Sequence, residues 1–467
     1  MRRGLASWIV LALSTAVASA APTGAIDFDA SARSARTLLG ELVAADTSNP
    51  PGNESRAVAI GVARLRQAGI PYRVTEFAPG RENLVARIEG RGGAGALLLL
   101  AHSDVVGAEG QNWSTDPHRM VEIDGHLLGR GVADDLGMAS VALEVFVQLE
   151  RADVPLTRDV ILAWTGDEES GGAGIQWLLE HEPDQVEAAI VLNEGGGVRL
   201  GDDGRPSLIA LQTAEKIYQD FTLVARGTTG HSSVPLPDNA IFQLARALGR
   251  LGAHGFPPRL LPVTRANLAA RAPLESGERQ RAMRALAESR GPLPDEAVGV
   301  LDADPALAAS LRTTCVATQI SGGTRANALP AEALATVNCR ILPDETPERV
   351  QARLVEILDD PGVEVRPTEE FGHGVPSPLE GPGPDAIRDI AHEMWPGISV
   401  IPFMSRGATD SRYLRARGMA AYGINPIAIA EADARRAHGI DERIPAASLR
   451  PAVEFLYRLV LEIAADN

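Results

Sequence analysis

The chain has 467 residues, of which 45% are hydrophobic and 22% charged, and a formal net charge of −17. That length exceeds one ordinary hydrophobic core and favours two domains. The acidic balance excludes a general nucleic-acid binder, which needs basic patches; Lys216 is the single lysine, so the basic groups are otherwise arginines.

Arg2 and Arg3 open a segment that is mostly apolar from Leu5 to Val17 and ends in Ala18-Ser19-Ala20. The apolar run is too short to span a bilayer and fits a secretory signal, residues 1–20, with Ala21 as the mature start. The alternative is an uncleaved anchor. No later stretch is long and apolar enough to span a membrane, so the expected location is secreted or periplasmic, with no membrane span after cleavage. An exported chain meets oxidising conditions, which leaves Cys315 and Cys339 either as a disulfide or as two buried thiols.

In chain order, residues 31–45 and 55–69 carry helical periodicity, and Arg81–Glu89 and Ala96–Ala101 read as strands. Met138–Leu149 reads as a helix, Asp159–Thr165 as a strand, Gly174–His181 as a helix and Ala188–Leu192 as a strand. Strands alternating with helices predict an α/β domain whose mainly parallel sheet is covered by helices. The texture changes near residue 213. Lys216–Arg226 alternates as a half-solvated antiparallel strand would, Asn239–Leu251 is helical, and 257–312 looks like a helical insertion. Thr313–Leu342 returns to strands, Pro347–Leu358 to helix and Gly362–Thr368 to a strand. After a Pro/Gly-rich stretch at 372–384, helices follow at 385–394 and 447–464. The predicted organisation is a catalytic α/β domain (21–213 and 372–467) interrupted by an α+β lid or dimerisation domain (214–371).

Five acidic or histidine clusters stand out. His102-Ser103-Asp104 follows the run Leu97–Ala101, Asp134-Asp135 precedes a helix, and Asp167-Glu168-Glu169 follows a strand. Glu194 follows Ala188–Leu192, and His438 sits in a late loop. Three of these sets fall beyond the C-terminal ends of different parallel strands, where open α/β sheets bind ligands. Clustered carboxylates repel unless a cation compensates. Imidazole and carboxylate donors without thiolate suit Zn2+, with Co2+ or Mn2+ as alternatives.

These motifs resemble the M20 metallopeptidases, a family of carboxypeptidases, aminoacylases and deacylases. The matching segments are His102-Ser-Asp104-Val-Val, Gly129-Arg-Gly-x-x-Asp134-Asp, Asp167-Glu168-Glu169-Ser-Gly, Asn193-Glu194-Gly-Gly and His438-Gly. Trp113 and Asp116-Pro117 resemble the carboxypeptidase S-type branch. The resemblance implies two divalent metal ions bridged by Asp134. His102 and Glu194 would complete one site, and Glu169 and His438 the other. Glu168 would be the general base, and Asp104 would orient His102. In the lid, His231 would act as a donor to the partner's active site in a homodimer. Asn327 would contact substrate, Arg340 would grip a free carboxylate, and Gly407 would approach substrate through its backbone. Leu136 departs from the lysine common after the bridging aspartate.

The expected activity is hydrolysis of a peptide or N-acyl-amino-acid amide bond next to a free carboxylate, with a small peptide or N-acyl amino acid as substrate. The alternatives are an aminopeptidase or dipeptidase of the same family and, from another class, an inactive metal-binding module.

Overall fold

The structure is a computed structural model that describes residues 26–368, 372 and 374–465. The expected signal segment lies outside the described residues. The first sheet-forming strands are β1 (Tyr72–Ala78), β2 (Arg81–Ile88), β3 (Leu97–His102), β4 (Val160–Thr165), β5 (Ile190–Leu200) and β6 (Pro206–Glu215). The chain then crosses at Lys216 into β7 (Ile217–Arg226), β8 (Thr314–Gly322), β9 (Glu332–Ile341) and β10 (Val363–Pro367). It returns with β11 (Ser399–Ser405) and β12 (Ala420–Ala430).

The larger sheet has eight strands in the order β11-β6-β12-β5-β3-β4-β2-β1. Its middle is parallel: β4, β3, β5 and β12 run the same way. The flanks are mixed, because β2 is antiparallel to β4 and β6 is antiparallel to β5. Every residue of β3 and of β4 is buried, as expected of apolar strands with both faces covered. Helices Phe28–Ala44, Leu136–Arg151 and Leu449–Ala464 pack together on one face, and Ala173–His181 packs on the other.

The second sheet has four antiparallel strands in the order β8-β9-β7-β10. In β7, Ile217, Gln219, Phe221 and Leu223 are buried while Tyr218, Asp220 and Thr222 are less so, which is the alternation read from the sequence. Helices Ala240–Ala253 and Pro347–Leu358 share this core. Cys315 and Cys339 face each other across β8 and β9 and are joined as a disulfide, which decides between the two states left open above.

The insertion forms four short helices, Pro262–Arg271, Gly277–Glu288, Asp295–Asp302 and Pro305–Ser310, around Leu268, Met283, Leu286 and Leu301. Its first helix packs on the edge strand β11, where Asn267 Nδ2 donates to the Pro402 carbonyl at 2.8 Å. Among the described residues, no helix is long and apolar enough to cross a membrane.

Strands β1, β6, β11 and β12 were not expected from the sequence, and β5 runs to Leu200 rather than ending at Leu192. Gly195-Gly196-Gly197 lets β5 pass close between its neighbours. A Cβ on Gly196 would lie 2.2 Å from the Gly423 carbonyl oxygen and 2.4 Å from that of Ala210.

Candidate metal centre and active site

His102 is the last residue of β3, and Glu168 and Glu169 lie in the turn after β4. Glu194 sits inside the irregular part of β5 rather than beyond its end. Asp134 precedes the helix Leu136–Arg151, and His438 lies in the loop after β12 with a left-handed backbone, φ 63°.

Asp134 stands between two imidazoles. Its Oδ1 is 3.1 Å from His102 Nε2, and its Oδ2 is 3.1 Å from His438 Nε2. Glu169 Oε2 is 3.0 Å from the same His438 nitrogen. His102, Asp134 and Glu169 each offer a ligand atom within 4.8 Å of the others. Glu169 Oε1 and both carboxylate oxygens of Asp135 are buried with no hydrogen-bond partner. Buried polar atoms are normally paired, so the unpartnered Glu169 oxygen beside two nitrogen donors and a two-sided carboxylate fits a metal-binding set.

The charges tell the same story. Burial pushes the Glu168 carboxyl well up, and nearby Asp410, Asp134 and Glu169 add to this against the opposing charge of His102. Burial also raises Glu194, with Glu168, Asp134 and Asp135 adding to it. Asp134 goes the other way: burial disfavours its charge, but hydrogen bonds to His102 and His438 outweigh that and hold it below the usual carboxylate range. Hydrogen bonds to Asp134 and Glu169 push His438 up to about 10. The crowded carboxylates draw on the His102 and His438 imidazoles for opposing charge, a role that divalent cations also fill.

His102 Nδ1 lies 2.9 Å from the backbone carbonyl oxygen of Asp104 and 3.5 Å from its carboxylate. An Nδ1–H donated to that carbonyl leaves Nε2 free as a ligand. The Asp104 carboxylate has other work. It accepts from the backbone N–H groups of Glu168 and Glu169, both at 3.2 Å, and from Asn49 Nδ2 at 2.8 Å. Asp104 therefore braces the His102 ring through its main chain and the Glu168-Glu169 turn through its side chain.

Residues 98–462 match the family described as Peptidase family M20/M25/M40. The chain belongs to that family. It is an enzyme of the metal-dependent peptidase and amidohydrolase class. It is 28% identical over 393 residues to human N-fatty-acyl-amino acid synthase/hydrolase PM20D1, covering 79% of this chain and 74% of the relative. It is 25% identical over 439 residues to rat Aminoacylase-1A, covering 92% and 95%. Among solved structures, the M20 family metallo-carboxypeptidase Sso-CP2 from Sulfolobus solfataricus superposes with a TM-score of 0.69 at 19% identity, covering 92% of this chain and 98% of that one.

Sequence reasoning missed several supports of this M20 site. Glu442, fully buried, accepts from the backbone N–H groups of Ala133 at 2.9 Å and Asp134 at 3.1 Å. Arg81 pairs with Glu54 and, at 2.7 Å, with Asp167. Buried Asp410 accepts from Thr165 Oγ1 at 2.7 Å, and burial pushes it up to about 6. The available signals were Glu442 four residues after His438 and Asp410 in the Arg406–Asp410 segment; their partners are not visible in sequence.

The remaining candidate residues form two groups. His231 is exposed, and its Nδ1 accepts from Ser233 N at 3.2 Å. Asn327 lies beside it, its carbonyl accepting from Ser232 N at 3.1 Å. Among the described residues, no hydrogen bond or ion pair links His231 or the Asn327 side chain to the metal-binding set. Arg340 does reach the catalytic part of the chain, donating from Nη1 to the Arg406 carbonyl at 2.9 Å. Gly407 follows directly, its N–H donating to Ser405 Oγ at 3.1 Å.

Proposed function

We propose that this enzyme is an exported dimetal amidohydrolase that cleaves the amide of a small peptide or N-acyl amino acid beside a free carboxylate. The observation that carries the reading is Asp134 placed between the His102 and His438 imidazoles, with Glu169 Oε1 buried and unpartnered beside them. In this reading two ions would be held by these side chains, one by His102 and Glu194 and the other by Glu169 and His438, with Asp134 common to both sites. Zn2+ suits this donor set, with Co2+ or Mn2+ as alternatives. The names of the human and rat relatives support an N-acyl amino acid as the substrate class.

Bound there, the metal pair supplies Lewis acidity that activates water and polarises the amide carbonyl. Glu168 takes the proton from the attacking water and passes it to the leaving nitrogen. The guanidinium of Arg340 binds the substrate carboxylate as a two-pronged donor, Asn327 contacts substrate, and Gly407 approaches it through its backbone. His231 serves the partner's active site in a homodimer formed through the lid, donating a hydrogen bond to the developing oxyanion.

The test is a panel of N-acyl amino acids, dipeptides and carboxyl-amidated controls, assayed with zinc and with chelator. Chelator-sensitive hydrolysis restricted to free carboxylates is expected. A preference for amidated substrates that need a free amine would favour an aminopeptidase instead, and hydrolysis of nothing would favour a metal-binding module.

A further inference from the structure

We propose that the cavity beside Arg340 receives the side chain of the substrate residue whose carboxylate Arg340 binds, and that it selects an acidic side chain, glutamate or aspartate. The proposal rests on the reading of Arg340 as the carboxylate grip.

Arg340 is a half-buried cation with no ion pair among the described residues. Its Nε donates to Asn338 Oδ1 at 3.3 Å, its Nη1 to the Arg406 carbonyl, and its guanidinium carbon lies 4.5 Å from the centre of the Tyr218 ring. Among the described residues, no carboxylate comes within 4.0 Å of it. Asp220 acts on it from further away, and the oxygens of Asp220 are engaged by Asn338 at 2.6 Å and Tyr218 at 2.8 Å.

The residue whose carbonyl Arg340 holds opens onto a cavity of about 270 Å³ between the insertion helix Pro262–Arg271 and β11. Arg406 and Gly407 form its near side, and Asn267 and Arg271 belong to the facing helix. A substrate carboxylate on Arg340 places the neighbouring Cα substituent next to this space. The insertion thus supplies one wall of the side-chain pocket.

Charge decides what the pocket takes. Arg406 also lacks a carboxylate within 4.0 Å among the described residues. Lys216, only 2% exposed, feels Arg340, Arg406 and Arg312; burial first, and then these three cations, bring it down to about 8. Arg312 is answered by Asp302 at 2.8 Å, which leaves Arg340 and Arg406 as the two cations of this group with no ion pair among the described residues. In a chain of net charge −17, such a concentration of like charge is relieved by bound anions. One α-carboxylate answers Arg340. A second carboxylate, on the side chain, answers Arg406.

The test compares kcat/KM for N-acetylglutamate and its neutral isostere N-acetylglutamine on the zinc-loaded enzyme. A preference for glutamate of at least tenfold is expected, and Arg406→Ala should reduce that ratio severalfold. A ratio near one in the unaltered enzyme, or a ratio unchanged in Arg406→Ala, overturns the acidic pocket while leaving the role of Arg340 intact. If no free-carboxylate amide is hydrolysed at all, the functional reading fails and the pocket with it. Calorimetry of free glutamate against free glutamine gives the same comparison without turnover, with glutamate expected to bind at least tenfold tighter.

Discussion

Arg130 Nη1 lies 2.6 Å from Glu442 Oε2, and both side chains are out of contact with solvent. This pair ties together two distant parts of the metal-binding set. Glu442 holds the backbone N–H of Asp134. Arg130 reaches the carbonyl oxygens of His438 and Gly439 at 3.3 and 3.2 Å and lies over the Trp113 ring at 5.0 Å. Removing one member of a buried ion pair costs about 3–5 kcal/mol because the other charge is stranded. Glu442→Ala should therefore lose about that much stability in urea and release metal more readily on dialysis. Glu442→Gln keeps an acceptor for the two N–H groups and should lose less on both counts. Full metal retention in Glu442→Ala would show that the pair does not set the position of Asp134 and His438.

Lys216 gives a pH signature. Its proton affinity in the folded chain falls from the ordinary value of 10.5 to about 8. Between those values the unfolded chain carries a proton that the folded chain lacks, so stability rises with pH across that window. Below pH 8 both states are protonated and the full penalty, about 3 kcal/mol, is present. Lys216→Met should remove it, offset by about 1 kcal/mol for the lost hydrogen bond to the Arg312 carbonyl. Urea unfolding of both proteins at pH 7 and pH 10 checks this: the difference between them should shrink at the higher pH. A constant difference would mean that Lys216 does not titrate there.

The catalytic edge was far more legible in the sequence than the supports beneath it. The run Leu97–Ala101 announces a buried strand, and His102 at its end needs no partner to be noticed. Proline and glycine hid other strands. Pro402 in β11 and Pro426 in β12 argue against strands when read locally, yet β11 is an edge strand and β12 is irregular between Gly423 and Ile429. The Arg130–Glu442 pairing could not be read because nothing local says which buried cation meets which carboxylate. Asp104 was noticed for its spacing from His102, whereas its carboxylate serves a turn brought alongside only by the pairing of β3 with β4.

Arg340 should separate substrates by their charge. Arg340→Ala is expected to lower kcat/KM for N-acyl amino acids by about 2–3 kcal/mol of lost charge-assisted bonding, roughly a hundredfold. Amidated analogues should change much less. Equal losses on both substrate types would remove Arg340 as the carboxylate grip.

His231 tests the proposed partnership between subunits. His231→Ala should form intact dimers of low activity, as should Glu168→Gln. If His231 acts across the interface, mixed dimers contain one site with an intact Glu168 and an intact partner histidine. Random reassortment of equal amounts should then restore about a quarter of the unaltered activity, since half the dimers are mixed and each carries one working site. No recovery after verified exchange would place His231 outside the partner's active site.

The central claim is that a metal pair held around Asp134 works with Glu168 as the base. Metal content and turnover measured on the same preparations of the unaltered enzyme and Glu168→Gln test it most directly. The account predicts two equivalents of metal per chain in both, with turnover of an N-acyl amino acid reduced at least a thousandfold, about 4 kcal/mol, in Glu168→Gln. Near-normal turnover in that variant, or fewer than two equivalents in the active unaltered enzyme, would contradict it.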